Sequence, residues 1–132
     1  WDKLSDFHEN IKLVTEQVIK EVTGKPGHVT CRFTHAYTDG TAPYFTFHAE
    51  TKPGQELEQW REIKTAVGDA LLSAGGTITH HHAVGRDHMP WYERQRPQLF
   101  GGSLKAVKNY LDPESRLNPG VIIPLDKESS LP

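Results

Sequence analysis

The sequence predicts an α+β domain, a small antiparallel sheet covered on one face by helices and ferredoxin-like in character. Two long segments with apolar residues at helical spacing flank two alternating runs joined by a turn, and a third helical segment lies near the C-terminal end. At 132 residues the chain is long enough for one core and too short for two.

Leu4, Phe7, Ile11, Val14, Val18 and Val22 recur at steps of three and four, which makes the first segment a helix with one apolar face. Thr23-Gly24-Lys25-Pro26-Gly27 supplies the glycine and proline that end it. From about His28 to His35, Val29, Cys31 and Phe33 alternate with Thr30, Arg32 and Thr34, the period of a half-buried strand. Asp39-Gly40 marks a turn. The next strand, from about Pro43 to Glu50, sends Phe45, Phe47 and Ala49 one way and Tyr44, Thr46 and His48 the other. Pro53-Gly54 opens a second long helix with Leu57, Trp60, Ile63, Val67 and Leu71 at helical spacing, Trp60 being expected in the core. Gly75-Gly76 ends it, since glycine tolerates the left-handed cap. Residues 77–79 read as a short strand. Residues 98–111 read as a third helix built on Leu99, Phe100, Leu104, Val107, Tyr110 and Leu111. Asp112-Pro113 stops it, and Asn118-Pro119-Gly120 is a further turn before Val121-Ile122-Ile123. Residues 1–124 are expected to form the domain and 125–132 a polar, frayed tail.

Composition narrows the function classes. Fifteen Lys and Arg against seventeen Asp and Glu give a net charge of -2, which argues against the broad positive surface of a nucleic-acid binder. No apolar stretch approaches the ~20 residues needed to span a bilayer. A single cysteine, Cys31, excludes an internal disulfide and a cysteine-cluster metal site; on the apolar strand face it reads as an inert buried thiol. The chain opens at Trp1 without an initiator Met or a signal-like segment, which suggests a piece of a longer polypeptide that is cytoplasmic or membrane-peripheral.

The chemistry concentrates in Gly75-Gly76-Thr77-Ile78-Thr79-His80-His81-His82-Ala83-Val84-Gly85-Arg86-Asp87-His88. On extended backbone His80 and His82 would face one side and His81 the other, while the glycines let the backbone approach a ring system, a phosphate or another strand. The plainer account is a loop of surface imidazoles bonded to carbonyls. Zinc is a lesser candidate, because adjacent histidines on extended backbone diverge and Cys31 is distant in sequence; no metal ligands are assigned.

The run from Gly75 to Arg86, followed by Lys105-Ala106-Val107-Lys108-Asn109-Tyr110-Leu111-Asp112-Pro113 and Asn118-Pro119-Gly120, resembles the C-terminal end of FAD-linked oxidases of the vanillyl-alcohol-oxidase type. The triple histidine most resembles the alkyldihydroxyacetonephosphate synthases, also called alkylglycerone-phosphate synthases. Cys31-Arg32-Phe33-Thr34-His35-Ala36-Tyr37 and Pro43-Tyr44-Phe45-Thr46-Phe47 are similar to paired strands of the same family, so the likeness runs from about Val29 to Ile123. The resemblance implies part of a cap domain plus a terminal segment that returns to the flavin. Its partner is then an N-terminal domain of the parent chain that binds most of the FAD. No Gly-x-Gly-x-x-Gly fingerprint occurs here, in agreement with a main cofactor site elsewhere. The implied reaction, a transferase step of ether-lipid biosynthesis, exchanges the acyl group at C1 of dihydroxyacetone phosphate for a long-chain alcohol through an adduct at flavin N5. The substrate is small or lipid-like, the isolated fragment is expected to be inactive, and a homodimer is compatible with the family.

The same resemblance places Tyr44, His80, His81 and His82 among the catalytic residues, and His81, His82, Arg86 and Asn118 against the cofactor. Tyr44 on the face opposite Phe45 and Phe47 suits such a role, the alternative being a half-buried strand aromatic with its hydroxyl at the rim. Imidazole takes and returns a proton near neutral pH. Arg86 suits a phosphate or a reduced, anionic flavin, its alternative being a salt bridge with Asp87 or Glu93. Asn118 has the simpler and slightly preferred reading of a turn-former before Pro119, and Arg32 reads as a cross-strand partner. The sequence departs from the synthase pattern at Ala83, where glycine is usual, and the family's substrate-phosphate arginine would lie before Trp1. It also lacks a peroxisomal tripeptide at Ser130-Leu131-Pro132. Two other functions compete: an FAD-dependent 2-hydroxy-acid dehydrogenase or oxidase of the lactate or glycolate type, and a non-enzymatic metal- or ligand-binding module.

Overall fold

A computed structural model describes residues 1–125, and the chain divides into two compact units, the first Trp1–Gly76 and the second beginning at Thr77. The element order is α1 (Leu4–Thr23), β1 (His28–Ala36), β2 (Thr41–His48), α2 (Glu56–Ser73), α3 (Met89–Gln95) and α4 (Gln98–Leu111). This is the α+β architecture expected. The predicted tail lies, from Asp126 onward, outside the described residues.

In the first unit, Ile11 and Ile19 of α1, Val29 of β1, and Ile63 and Val67 of α2 form the buried core; Phe7, Phe45, Phe47 and Leu71 pack around it. The helix face of α1 is broader than its apolar pattern suggests. Thr15 and Thr23 are buried too, because each hydroxyl donates to the carbonyl one turn back, Ile11 and Ile19, at 2.6 and 2.8 Å. The helix ends at Gly24, whose left-handed backbone lets its N–H reach the Lys20 carbonyl. Gly27 is forced by contact rather than by torsion: a Cβ there would meet two methyl carbons of Ile19 at 2.6 Å.

The hairpin keeps the expected alternation. Val29 faces Phe47 and Cys31 faces Phe45, while Thr30 with Thr46 and Arg32 with Tyr44 occupy the other face. The register slips between Phe33 and His35. Pro43, opposite Phe33, has no N–H for the ladder, and a bulge is where a sheet tolerates that loss.

On α2, Ile63 and Val67 are buried as expected, but Leu57 and Trp60 are exposed, and Lys64 Nζ sits 5.8 Å from the Trp60 ring centre. Trp60 is therefore a surface aromatic and not a core residue. Gln59 takes the buried place in that turn. Its amide accepts from the Lys52 N–H and donates to the Val22 carbonyl, both at 2.9 Å, fastening α2 to the end of α1. Replacing Gln59 by Leu orphans both groups and is expected to cost about 1–3 kcal/mol. A lower urea midpoint at unchanged slope is the expected readout.

The second unit departs from expectation at its start. Residues 77–79 form no strand, since no second strand meets them. The Ile78 N–H is instead taken by Gln95 Oε1 at 3.0 Å, and Gln95 Nε2 donates to Thr77 Oγ1 at 2.7 Å. Gln95 closes the short helix α3, which buries only Trp91. Arg96 follows. It pairs with Glu93, lies over the Tyr92 ring at 5.4 Å and packs against Gly101, where a Cβ would meet its guanidinium at 2.9 Å. Beyond α4, Asp112 is buried and caps the next turn, accepting from the Arg116 and Leu117 N–H groups at 2.9 Å each. Lys108 pairs with Asp112 and also donates to the Leu117 carbonyl at 2.7 Å.

The hydrogen bond from Lys108 and those from the two backbone N–H groups hold the Asp112 carboxyl down to about 2. Its unfolded value is near ~4. A depressed acid contributes stability that is complete above its unfolded value and is lost as pH falls towards the folded one. The second unit is thus expected to lose stability between about pH 4 and 2, and Asp112→Asn to flatten that slope. A pH series of thermal melts on both proteins checks it.

Candidate functional site

Tyr44 belongs to the first unit, half-buried in the middle of β2, on the face turned away from Phe45 and Phe47. Its cross-strand partner Arg32 lays its guanidinium 4.6 Å from the ring centre, so Arg32 is the cross-strand neighbour expected. Cys31, one residue away on the core side, is half-buried; that burial pushes its thiol up, against a lowering hydrogen bond from the Tyr44 backbone. An uncharged thiol is a poor nucleophile, which agrees with an inert role.

The second unit holds the other candidates. His80, His81 and His82 do not lie on extended backbone. His81 has φ 39° and Ala83 φ 64°, and the His82 N–H closes a tight turn on the His80 carbonyl. The three rings therefore gather instead of diverging: His80 and His81 meet edge to face with centroids 5.0 Å apart, His81 and His82 with centroids 4.4 Å apart. His80 Nδ1 and His81 Nδ1 lie 2.9 Å apart, a hydrogen bond in which one ring donates and the other accepts. The Ala83 carbonyl ends the turn, with Thr79 Oγ1 donating to it at 3.2 Å and His88 Nδ1 3.5 Å away.

The backbone at Ala83 is left-handed, φ 64°, the conformation in which glycine, the residue the resemblance leads one to expect there, carries no strain. Ala83→Gly relieves about 1–2 kcal/mol of local strain and returns about 0.4–1 through the freer unfolded chain. The second unit is expected to gain up to about 1.6 kcal/mol, read as a higher thermal midpoint.

Arg86 reaches neither Asp87 nor Glu93 among the described residues. Its Nη2 donates to the Pro119 carbonyl at 2.9 Å, and Glu93 is taken by Arg96. The side chain thereby ties the turn after the imidazole run to the one at Asn118. Asn118 is a turn-former in the left-handed region, φ 46°, with its carbonyl accepting from the Val121 N–H at 3.2 Å. It also lines a cavity of about 250 Å³ beside α4, with Lys105 and Lys108 on the wall. Arg96, which braces this unit, carries no pattern of its own in the sequence, and Asp112 is legible there as a helix stop but not as a buried cap.

The second unit thus gathers His80, His81 and His82 in one turn and links Arg86 to the Asn118 turn. That donor set fits a flavin: imidazole edges supply and accept protons, and Arg86, with one of its N–H groups used on Pro119, keeps others for an electron-rich ring or a phosphate.

Comparison with known proteins gives the class of protein to which this α+β chain belongs. The chain belongs to the family described as FAD linked oxidases, C-terminal domain, whose model matches residues 1–122. It is 31% identical over 107 residues to the alkyldihydroxyacetonephosphate synthase of Dictyostelium discoideum, covering 81% of this chain and 18% of that protein. The Trypanosoma brucei brucei synthase is 33% identical over 101 residues, 76% of this chain and 16% of that protein. A glycolate oxidase subunit of Bacillus subtilis is 28% identical over 110 residues, 83% of this chain and 23% of its own length. The chain therefore spans less than a quarter of these relatives. No helix among the described residues is long and apolar enough to cross a membrane.

Proposed function

We propose that this domain covers substrate and flavin in an FAD-dependent synthase that exchanges an acyl group on dihydroxyacetone phosphate for a long-chain alcohol. The observation that carries the reading is the gathered imidazole turn, His80 to His82, in a chain similar to two such synthases at 31% and 33% identity. FAD, held mainly by the rest of the parent polypeptide, supplies the flavin ring at which the exchange takes place.

This chain's own residues handle protons and position. C1 of the substrate loses a proton, the bond from C1 to the acyl oxygen breaks, and the fatty-acid carboxylate departs. The alcohol oxygen forms the new bond to C1 as its own proton is taken up, and a proton is returned to C1 at the end. Tyr44 and one imidazole of the run are the groups proposed for those transfers. The Nδ1 pair of His80 and His81 offers one proton a choice of two rings, so a proton taken at one imidazole can be relayed. Arg86 and Asn118, joined through the Pro119 carbonyl, are proposed to hold the cofactor side of the site.

The test uses the full-length oxidase loaded with FAD. Supplied with acyl-dihydroxyacetone phosphate and a long-chain alcohol, it is expected to release fatty acid and form the ether with no net bleaching of the flavin. Likeness to the glycolate oxidase subunit supports a second reading, hydride transfer from a 2-hydroxy acid. Bleaching by D-lactate or 2-hydroxyglutarate, without exchange, would replace the first reading by the second.

A further inference from the structure

Arg32 and Tyr44 form one rung of the hairpin, opposite each other in the β1–β2 register and on the face turned away from the core. The rung is pinned from beneath. Its neighbours Cys31 and Phe45 oppose each other on the core side, and Phe45 packs against the buried cluster of α1, β1 and α2. Pro43, just before Tyr44, restricts the backbone further because its ring fixes φ. On this rung the Arg32 guanidinium carbon lies 4.6 Å from the centre of the Tyr44 ring, a cation held against an aromatic face. Both residues, and the elements that hold them, belong to the first unit.

We propose that Arg32 is the positioning residue for Tyr44: its guanidinium holds the ring and so the direction of the phenol oxygen, and its charge favours the negative charge that grows on that oxygen as a proton leaves it. The inference rests on the reading of Tyr44 as a proton-transfer group. A tyrosine side chain turns about two bonds, and rotation about the first carries the hydroxyl, at the tip, farthest. Proton transfer works only within hydrogen-bond reach of the reacting atom, so a swing of about 1 Å is costly. A guanidinium suits the task on two counts. It is flat, so it stacks on the ring and limits that rotation, and it keeps its charge at any working pH. A charge fixed in place before the reaction needs no rearrangement while the proton moves. Arg32 itself gives up no proton and makes no bond.

A double-mutant cycle on the full-length, FAD-loaded oxidase tests it, read as kcat and KM for whichever of the two reactions the enzyme runs. Arg32→Leu is expected to lower kcat about tenfold and to leave KM within about twofold of wild type. Arg32→Lys, which keeps the charge, is expected to restore most of that loss. In a Tyr44→Phe background Arg32→Leu is expected to cost no more than about twofold further, because the hydroxyl through which Arg32 acts is gone. Loss by the same factor in both backgrounds is the mark of a merely structural role and overturns the proposal. So does a raised KM at unchanged kcat, which would make Arg32 a contact for the substrate. Tyr44→Phe alone tests the underlying reading: full activity there removes both roles. An impaired Tyr44→Phe beside an unimpaired Arg32→Leu removes the role of Arg32 only. If Arg32→Leu does not load flavin, Arg32→Gln, which keeps a flat polar group without the charge, takes its place in the cycle with the same expectations.

Discussion

Tyr44→Phe in the full-length, FAD-loaded oxidase is expected to lower kcat for acyl-to-alkyl exchange by about 10²–10⁴-fold, the usual worth of a positioned acid or base. The substitution removes one oxygen and keeps the ring that packs beneath Arg32 and holds the strand face. Flavin content and the thermal midpoint should therefore stay at wild-type values. Replacing His80, His81 and His82 by Asn one at a time should produce a loss of the same order at one position or more. The three rings contact one another in sequence, so the single losses are not expected to add. Full exchange activity in Tyr44→Phe would remove the phenol from the chemistry and leave it as a strand aromatic.

The largest stability effect is expected at Ile63. Its side chain is buried where α2 meets Ile11 and Ile19 of α1 and Val29 of β1. Truncation to Ala removes transfer energy and leaves a cavity, together about 2–5 kcal/mol. Domains of this size have about 5–15 kcal/mol in all, so the first unit would be left near its unfolding threshold. Leu57, on the same helix but exposed, is expected to tolerate Ala within about 0.5 kcal/mol. Urea titrations of the two variants distinguish a core governed by contact from one governed by hydropathy alone.

The contrast between Ile63 and Leu57 also shows how much of the fold was legible. Helices α1, α2 and α4 and the hairpin stand where apolar spacing puts them, because periods of 3.6 and 2 are local properties of the chain. Which members of each pattern are buried depends on partners far away in sequence. Thr15 and Gln59 are inside because Ile11, Val22 and Lys52 satisfy their polar atoms. Helix α3 buries one side chain in seven residues and so has no period to detect. Residues 77–79 alternate like a strand but meet the side chain of Gln95 instead of a ladder.

The candidate site was legible as a motif and not as a shape. The run of histidines is visible in the sequence, and the family model matches residues 1–122, a stretch that begins before Val29, where the likeness was expected to start. Its conformation is not visible, because positive φ is uncommon for any residue with a Cβ, alanine above all, and His81 and Ala83 both adopt it. Those two torsions turn a diverging set of rings into a gathered one. The contact of Arg86 with the Pro119 carbonyl joins residues 33 apart in sequence, a distance over which no local pattern operates. The glycine-favouring torsion at Ala83 turns the alanine that follows the histidine run into a physical statement about strain.

A structure of the full-length oxidase with FAD bound tests the central claim most directly. The account predicts the flavin ring within about 4 Å of an imidazole of the His80 to His82 run, and the Tyr44 hydroxyl facing the same substrate space. A flavin ring remote from both, with the imidazole turn open to bulk water, would contradict it.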